Sequence, residues 1–292
     1  MKHESTIPWN GPAGRAWVAT QGLLDRVFQP FEDRLVEAVA ARRPRNVLDV
    51  GCGAGATTLA VARALGPGGH ATGIDISEPM IAAAQARAGN HVSFVRADAQ
   101  THTFAPAGFD MVISRFGVMF FDDPVHAFEN LRRATADEAE LRFAAWRGPE
   151  ENPFMTTAER AAAPLLPNLP PRQPGQPGQF AFAHPQRIDQ ILRESGWAHI
   201  DIQPLDVYCT FPEPDLVTYF TRLGPVGLAL GEVDDLTRQK VIETLRAAFS
   251  PYLDGNQVHF LAACWMVSAR RLTDSACLFF LSFFLAAIYR AG

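Results

Sequence analysis

The chain has 292 residues, 48% hydrophobic and 20% charged, enough for one large α/β domain carrying a cap. A net charge of −5 gives no electrostatic footprint for a polyanion, so nucleic acid is not expected as a partner. The four cysteines (Cys52, Cys209, Cys264 and Cys277) show no paired spacing, and the first residues lack an apolar signal run; a reduced, cytoplasmic protein is expected.

In chain order, residues 1–30 form a Gly/Pro-punctuated segment carrying Trp9, Trp17 and Gln21. Phe31, Leu35, Val36 and Val39 recur at helical spacing. Arg45–Val50 reads as the first strand. Thr57–Leu65 reads as the first crossover helix, stopped by Gly66-Pro67-Gly68-Gly69. Ala71–Asp75 is a second strand, followed by a helix capped by Ser77 and running to about Ala88. His91–Ala97, Phe109–Ser114 and Glu140–Trp146 are three more strands, with a helix over Pro124–Arg133 between the last two. Five strands alternating with helices call for a parallel sheet with right-handed crossovers.

The second half departs from that rhythm. Residues 164–178 hold six prolines and read as a loop or lid over the carboxyl edge of the sheet. Asn152-Pro153-Phe154 reads as a loop turn. A helix is expected over Pro185–Ser195, an alternating strand over Ile200–Phe211 broken at Pro204, and a buried strand over Val258–Ala269. The intervening 212–257 segment is too long for a hairpin turn and reads as a helical cap. Beyond Arg271, Ser275 to Tyr289 contains 15 residues without a charge, short of the roughly 17–25 that a spanning helix needs. No transmembrane segment is expected. The 272–292 tail suits a helix buried against this protein or a second copy in a homodimer, a membrane-surface contact, or a tail without a selected role.

The chemistry concentrates in Val47–Thr58, VLDVGCGAGATT: a buried strand, a glycine turn and a helix N-terminus aimed at a ligand. The glycines alone fit a dinucleotide pattern as well as a G-x-G-x-G pattern. Asp49 separates the two, because its carboxylate would repel a pyrophosphate and attract a ligand bearing ammonium and sulfonium groups. Asp75, ending the second strand, can accept both hydroxyls of a ribose. Asp98, ending the third, can take an exocyclic amino group of adenine while the Ala99 amide donates to the ring. Three carboxylates at successive strand ends share the edge where open α/β sheets bind ligands.

These motifs, with TGID at 72–75, RADA at 96–99 and FDMVISRFGVMFF at 109–121, resemble the class I S-adenosylmethionine-dependent methyltransferases. The likeness is to the small-molecule group that includes the ubiquinone/menaquinone biosynthesis enzymes. The resemblance implies a doubly wound, Rossmann-like sheet of seven mostly parallel strands, the last antiparallel, with a helical cap. It implies a methyltransferase domain over 31–271, with a lid loop at 150–180, a cap insertion at 212–257 and an N-terminal lid segment over 1–30. The implied cofactor, S-adenosylmethionine, leaves as S-adenosylhomocysteine. Its expected contacts are Asp49, Gly51, Cys52, Gly53, Gly55, Asp75, Ile76, Met80, Asp98, Ala99 and Ser114. Thr135–Ala139 departs from the Pro-Gly-Gly turn usual in such enzymes. Arg115, Phe116, Met119, Phe154 and Tyr219 are expected at the substrate, a small, hydrophobic or aromatic acceptor methylated at oxygen or carbon. No catalytic residue is assigned, His126 and His184 read as a solvated residue and a helix cap, and no metal cluster is expected. Two rival functions are an NAD-dependent oxidoreductase using the same loop and a catalytically silent cofactor-binding interaction protein.

Overall fold

The structure, a computed structural model, describes residues 9–173 and 175–273; the apolar run Ser275–Tyr289 lies outside them. Three helices come first among the described residues, α1 (Pro12–Ala19), α2 (Gln21–Val27) and α3 (Gln29–Arg42). An alternation of strand and helix follows: β1 (Asn46–Val50), α4 (Ala56–Leu65), β2 (His70–Asp75), α5 (Glu78–Ala86), β3 (Val92–Arg96), β4 (Phe109–Arg115), α6 (Pro124–Ala134) and β5 (Thr135–Trp146). The remainder is α7 (Pro153–Ala162), α8 (Pro185–Glu194), β6 (Ala198–Pro212), α9 (Leu216–Arg222), α10 (Gly224–Ala229), α11 (Asp235–Ala248), the two-residue β7 (Leu253–Asp254) and β8 (Gln257–Arg270).

The strands line up as β3-β2-β1-β4-β5-β8-β6. All neighbours from β3 to β5 pair in parallel, and β8 runs antiparallel between β5 and β6. This is the doubly wound mixed sheet expected, with the last strand reversed. Period-two alternation divides the side chains. Val47, Met111 and Ile113 pack under α3 and α4 with Leu35, Val39 and Val61, while Leu48, Val50 and Val112 face the larger core that includes Phe128 and Leu131 of α6.

The strand order reverses between β1 and β4. At such a switch point the loops after the two strands turn to opposite faces, opening a crevice at their carboxyl ends.

Three local readings change. Pro204 does not break β6, which pairs with β8 continuously from Asp201 to Pro212; β6 is an edge strand, where a missing N–H is tolerated. Strand β5 begins at Thr135, and a register irregularity between Phe109 and Met111 absorbs the extra residues, with Glu138 at φ 60°. Asn152 and Pro153 are a helix start rather than a loop turn. The buried Asn152 amide donates to Ala263 O (2.9 Å) and Gly148 O (3.1 Å) and accepts from Ala263 N (2.9 Å), with Pro153 in the first turn of α7. Among the described residues, no helix is long and apolar enough to cross a membrane.

Candidate active site

The glycine turn after β1 is built by backbone. Gly51, Gly53 and Gly55 all adopt positive φ (68°, 55° and 84°), the left-handed region that side chains disfavour. A Cβ on Gly51 would lie 2.6 Å from Gly117 Cα, so the turns after β1 and β4 touch backbone to backbone. Asp75 organises the turn from the next strand. Its carboxylate accepts from Gly53 N and from Ser77 N, each at 2.8 Å, and burial is the main influence pushing its pKa up. Asp49 is 1% exposed and accepts from Thr58 Oγ1 at 2.6 Å. Burial raises its pKa to about 6, against smaller lowering by the Thr58 bond and the Arg115 charge. Asp98 accepts from Gln100 N at 2.9 Å.

These groups border a cavity of about 180 Å³ along the carboxyl edge. Adjacent strands lie about 4.8 Å apart, so the ends of β3, β2, β1 and β4 offer contacts over about 14 Å, the span of an extended ligand. Five carboxylates line it among the described residues (Asp25, Asp49, Asp75, Asp98 and Asp122) against one guanidinium, that of Arg115. Such a wall favours a cationic ligand group over a pyrophosphate.

Of the expected residues, Asp49, Gly51, Cys52, Gly53, Asp75, Ile76, Met80, Asp98, Ala99, Arg115 and Phe116 meet at this cavity. Five do not line it. Gly55 is the left-handed residue before α4, and a Cβ there would stand 2.7 Å from the Phe94 ring. Ser114 is fully buried beneath the crevice; it donates to Val50 O (2.7 Å) and accepts from Gly117 N (3.1 Å), tying the two turns together. Met119 is buried, its sulfur accepting from Trp146 N at 3.3 Å. Phe154 stacks on Phe260 with centroids 3.9 Å apart, and Tyr219 packs against Phe154 and Phe211 in the same aromatic core. Burial pushes the Cys52 thiol well above its usual range, so it is a packing group and not a nucleophile.

The cavity's cover comes from the N-terminal segment expected as a lid, and not from the other two elements expected there. Lining residues come from 9–28, 49–57, 74–80, 97–100 and 115–122, and none among the described residues from the proline-rich loop or the 212–257 helices. Helices α1 and α2 form the cover instead. Trp9 O accepts from Ser77 Oγ at 2.7 Å, Asn10 Oδ1 accepts from Glu78 N at 2.8 Å, and Arg87 donates to Ala54 O (3.0 Å) while pairing with Asp25 (3.4 Å). Trp9, Trp17, Phe28, Phe116, Phe120 and Phe121 give the cavity an aromatic wall, in which Trp9 meets Phe120 edge-on at 5.3 Å. Phe116 holds a positive φ of 67° and stacks on Trp146 at 4.8 Å, a strained backbone fixed by packing. The sequence signals for this wall were the aromatic residues of the first 30 positions and the FGVMFF run after β4.

Comparison with known proteins finds likenesses over the loop and the following strands. Residues 47–138 match the model of a methyltransferase domain. Nocamycin O-methyltransferase of Saccharothrix syringae is 38% identical over 33% of this chain and 36% of its own length. Demethylmenaquinone methyltransferase of Staphylococcus aureus is 33% identical over 35% of this chain and 44% of its own length. The alignments thus span less than half of these relatives. The YcgJ protein of Bacillus subtilis shares the fold at a TM-score of 0.53, with 15% identity over 83% of this chain and 98% of that one.

Proposed function

We propose that this chain, whose residues 47–138 match a methyltransferase domain model, is an S-adenosylmethionine-dependent enzyme that methylates an oxygen or carbon of a small, hydrophobic or aromatic acceptor. One observation carries the reading: Asp98, Asp75 and Asp49 stand at the ends of three adjacent strands around a single cavity, beside a glycine turn that leaves the backbone bare. S-adenosylmethionine would supply a methyl group on a sulfonium, whose in-line displacement has no obligatory acid–base pair.

The chain's own work is then placement and exclusion of water. Asp75, already oriented by two backbone amides, has lone pairs left for a ribose diol, and Asp98 with the Ala99 amide suits an adenine edge. Asp49, nearly enclosed, sets a negative potential where a cationic group is carried. The rings of Trp9, Trp17, Phe28, Phe116 and Phe120 support an apolar, planar acceptor, and Arg115 is placed to orient an oxygen on it.

Isothermal calorimetry tests the foundation. The intact chain is expected to bind S-adenosylhomocysteine, and Asp75→Ala to abolish that binding; a wild-type protein that does not bind it ends this reading. Incubation with labelled cofactor and a metabolite extract, read by mass spectrometry, then identifies the acceptor.

A further inference from the structure

Oε1 of Gln21 is shut off from solvent and has no hydrogen-bond partner, although Gln21 lines the cavity. Buried polar atoms in folded proteins are nearly always satisfied, so an orphan acceptor in a cavity wall marks where a ligand supplies the donor. Its neighbour shows the contrast. The hydroxyl of Thr20 is satisfied locally, donating to Ala16 O at 2.8 Å.

The surroundings of Gln21 are aromatic and belong to the cover. Residues four and seven apart on a helix share a face, so Gln21, Asp25 and Phe28 form one stripe running along α2, and all three line the cavity. At its far end Phe28 meets Phe116 edge-on at 5.5 Å, and Phe116 stacks on Trp146. Ahead of it, Trp17 in the last turn of α1 meets Trp9 at 5.9 Å, and Trp9 in turn meets Phe120. Asp25, the other acceptor of the stripe, is already paired with Arg87. A bare carboxamide oxygen thus interrupts a wall otherwise suited to a planar apolar body.

That oxygen accepts and cannot donate, so it selects a ring that carries a donor. The proposed reaction narrows the choice. Methylation at oxygen needs a hydroxyl as nucleophile, and methylation at an aromatic carbon is served by a hydroxyl that releases electrons into the ring. A ring hydroxyl is the donor common to both.

We propose that Gln21 determines acceptor specificity, its Oε1 accepting from the hydroxyl of a planar hydroxyarene held by the aromatic wall. The inference rests on the proposed function. It sets the acceptor's hydroxyl against the cover, and a ring without a free hydroxyl, an aryl ether included, leaves Oε1 unpaired and binds more weakly.

Fluorescence titration of the full chain saturated with S-adenosylhomocysteine tests it. The probes are 2-naphthol and 2-methoxynaphthalene, which share a ring system and differ in the donor. Wild type is expected to bind the naphthol about tenfold more tightly. Gln21→Leu and the near-isosteric Gln21→Met are expected to bind both probes within about twofold of each other, and to keep their calorimetric affinity for S-adenosylhomocysteine within about twofold of wild type. Wild-type protein that binds the two probes alike, or neither, overturns the hydroxyarene inference while cofactor binding stands. Variants that keep the preference do the same. Variants that lose affinity for S-adenosylhomocysteine assign the oxygen to the cofactor and also overturn it. Wild-type protein that fails to bind S-adenosylhomocysteine removes the proposed function, and the inference with it.

Discussion

Asp49→Asn tests whether the cavity's central carboxylate is held at a cost to the fold. The native pKa is raised from 3.8 to about 6, chiefly by burial, so the folded state resists ionisation more than the unfolded chain does. Two units at 1.36 kcal/mol each correspond to about 3 kcal/mol lost from stability once the group is ionised in both states. The sign follows from the raised pKa: the deficit is complete above about pH 6, shrinks as pH falls, and vanishes below the unfolded value of 3.8. Asparagine keeps an oxygen for the Thr58 hydroxyl and removes the charge. Urea unfolding is therefore expected to show the variant more stable than wild type by about 3 kcal/mol at pH 8 and about 1.5 kcal/mol at pH 5. The same variant is expected to bind S-adenosylhomocysteine more weakly, by about tenfold or more, since a charged acceptor is lost. A stability difference that stays constant from pH 5 to pH 8 would show that the carboxylate titrates normally, and the argument from desolvation would fail.

Phe154→Ala removes a ring stacked within the α7–β8 core and should cost about 3–5 kcal/mol in denaturant unfolding, while the folded fraction keeps its cofactor affinity. A change in ligand affinity with little loss of stability would return Phe154 to the site. Helix α1 buries only Ala13 and Gly14, whereas α2 buries Leu23, Leu24 and Val27. Hydrogen exchange is expected to be faster at the amides of α1 than at those of α2, and slowed in α1 by S-adenosylhomocysteine; equal protection of both helices in the free protein would refute that ordering.

The half of the site that could be read in the sequence is the half made by strand ends. A residue such as Asp75 or Asp98, placed where an apolar run stops, must project at the carboxyl edge of a parallel sheet, so its position follows from local pattern alone. Ser114 obeys the same rule and still misses the cavity, because its hydroxyl is engaged by Val50 O and Gly117 N, a meeting of two turns that no single strand encodes. Phe154 and Tyr219 looked like pocket residues because aromatic rings serve cores and pockets equally, and only packing decides between the two. The cover was legible as a lid over residues 1–30, but where it docks was not. It depends on contacts such as Ser77 to Trp9, 68 positions apart, and the Arg26–Asp215 ion pair at 3.0 Å, 189 positions apart.

That cover also relocates the question of specificity. A cap insertion would choose the acceptor with the helices of 212–257, but those helices close over Phe211, Phe220 and Phe249 and extend the main core. The rings facing the cavity belong to 9–28 and to the turn after β4. Their attachments differ in strength. The α1 end hangs on a few polar bonds, such as those of Trp9 O and Asn10 Oδ1 to the start of α5, each contributing about 1 kcal/mol, whereas α2 and Phe28 are sunk in the main core. A cover hinged between a loose helix and a fixed one can admit a ligand without unfolding the sheet. Gln21 stands at that hinge, directly after Thr20, whose hydroxyl closes the last turn of α1. On the proposed function, substitutions of the other residues in 9–28 should shift acceptor choice and cofactor affinity together, and substitutions in the 212–257 helices should change stability alone.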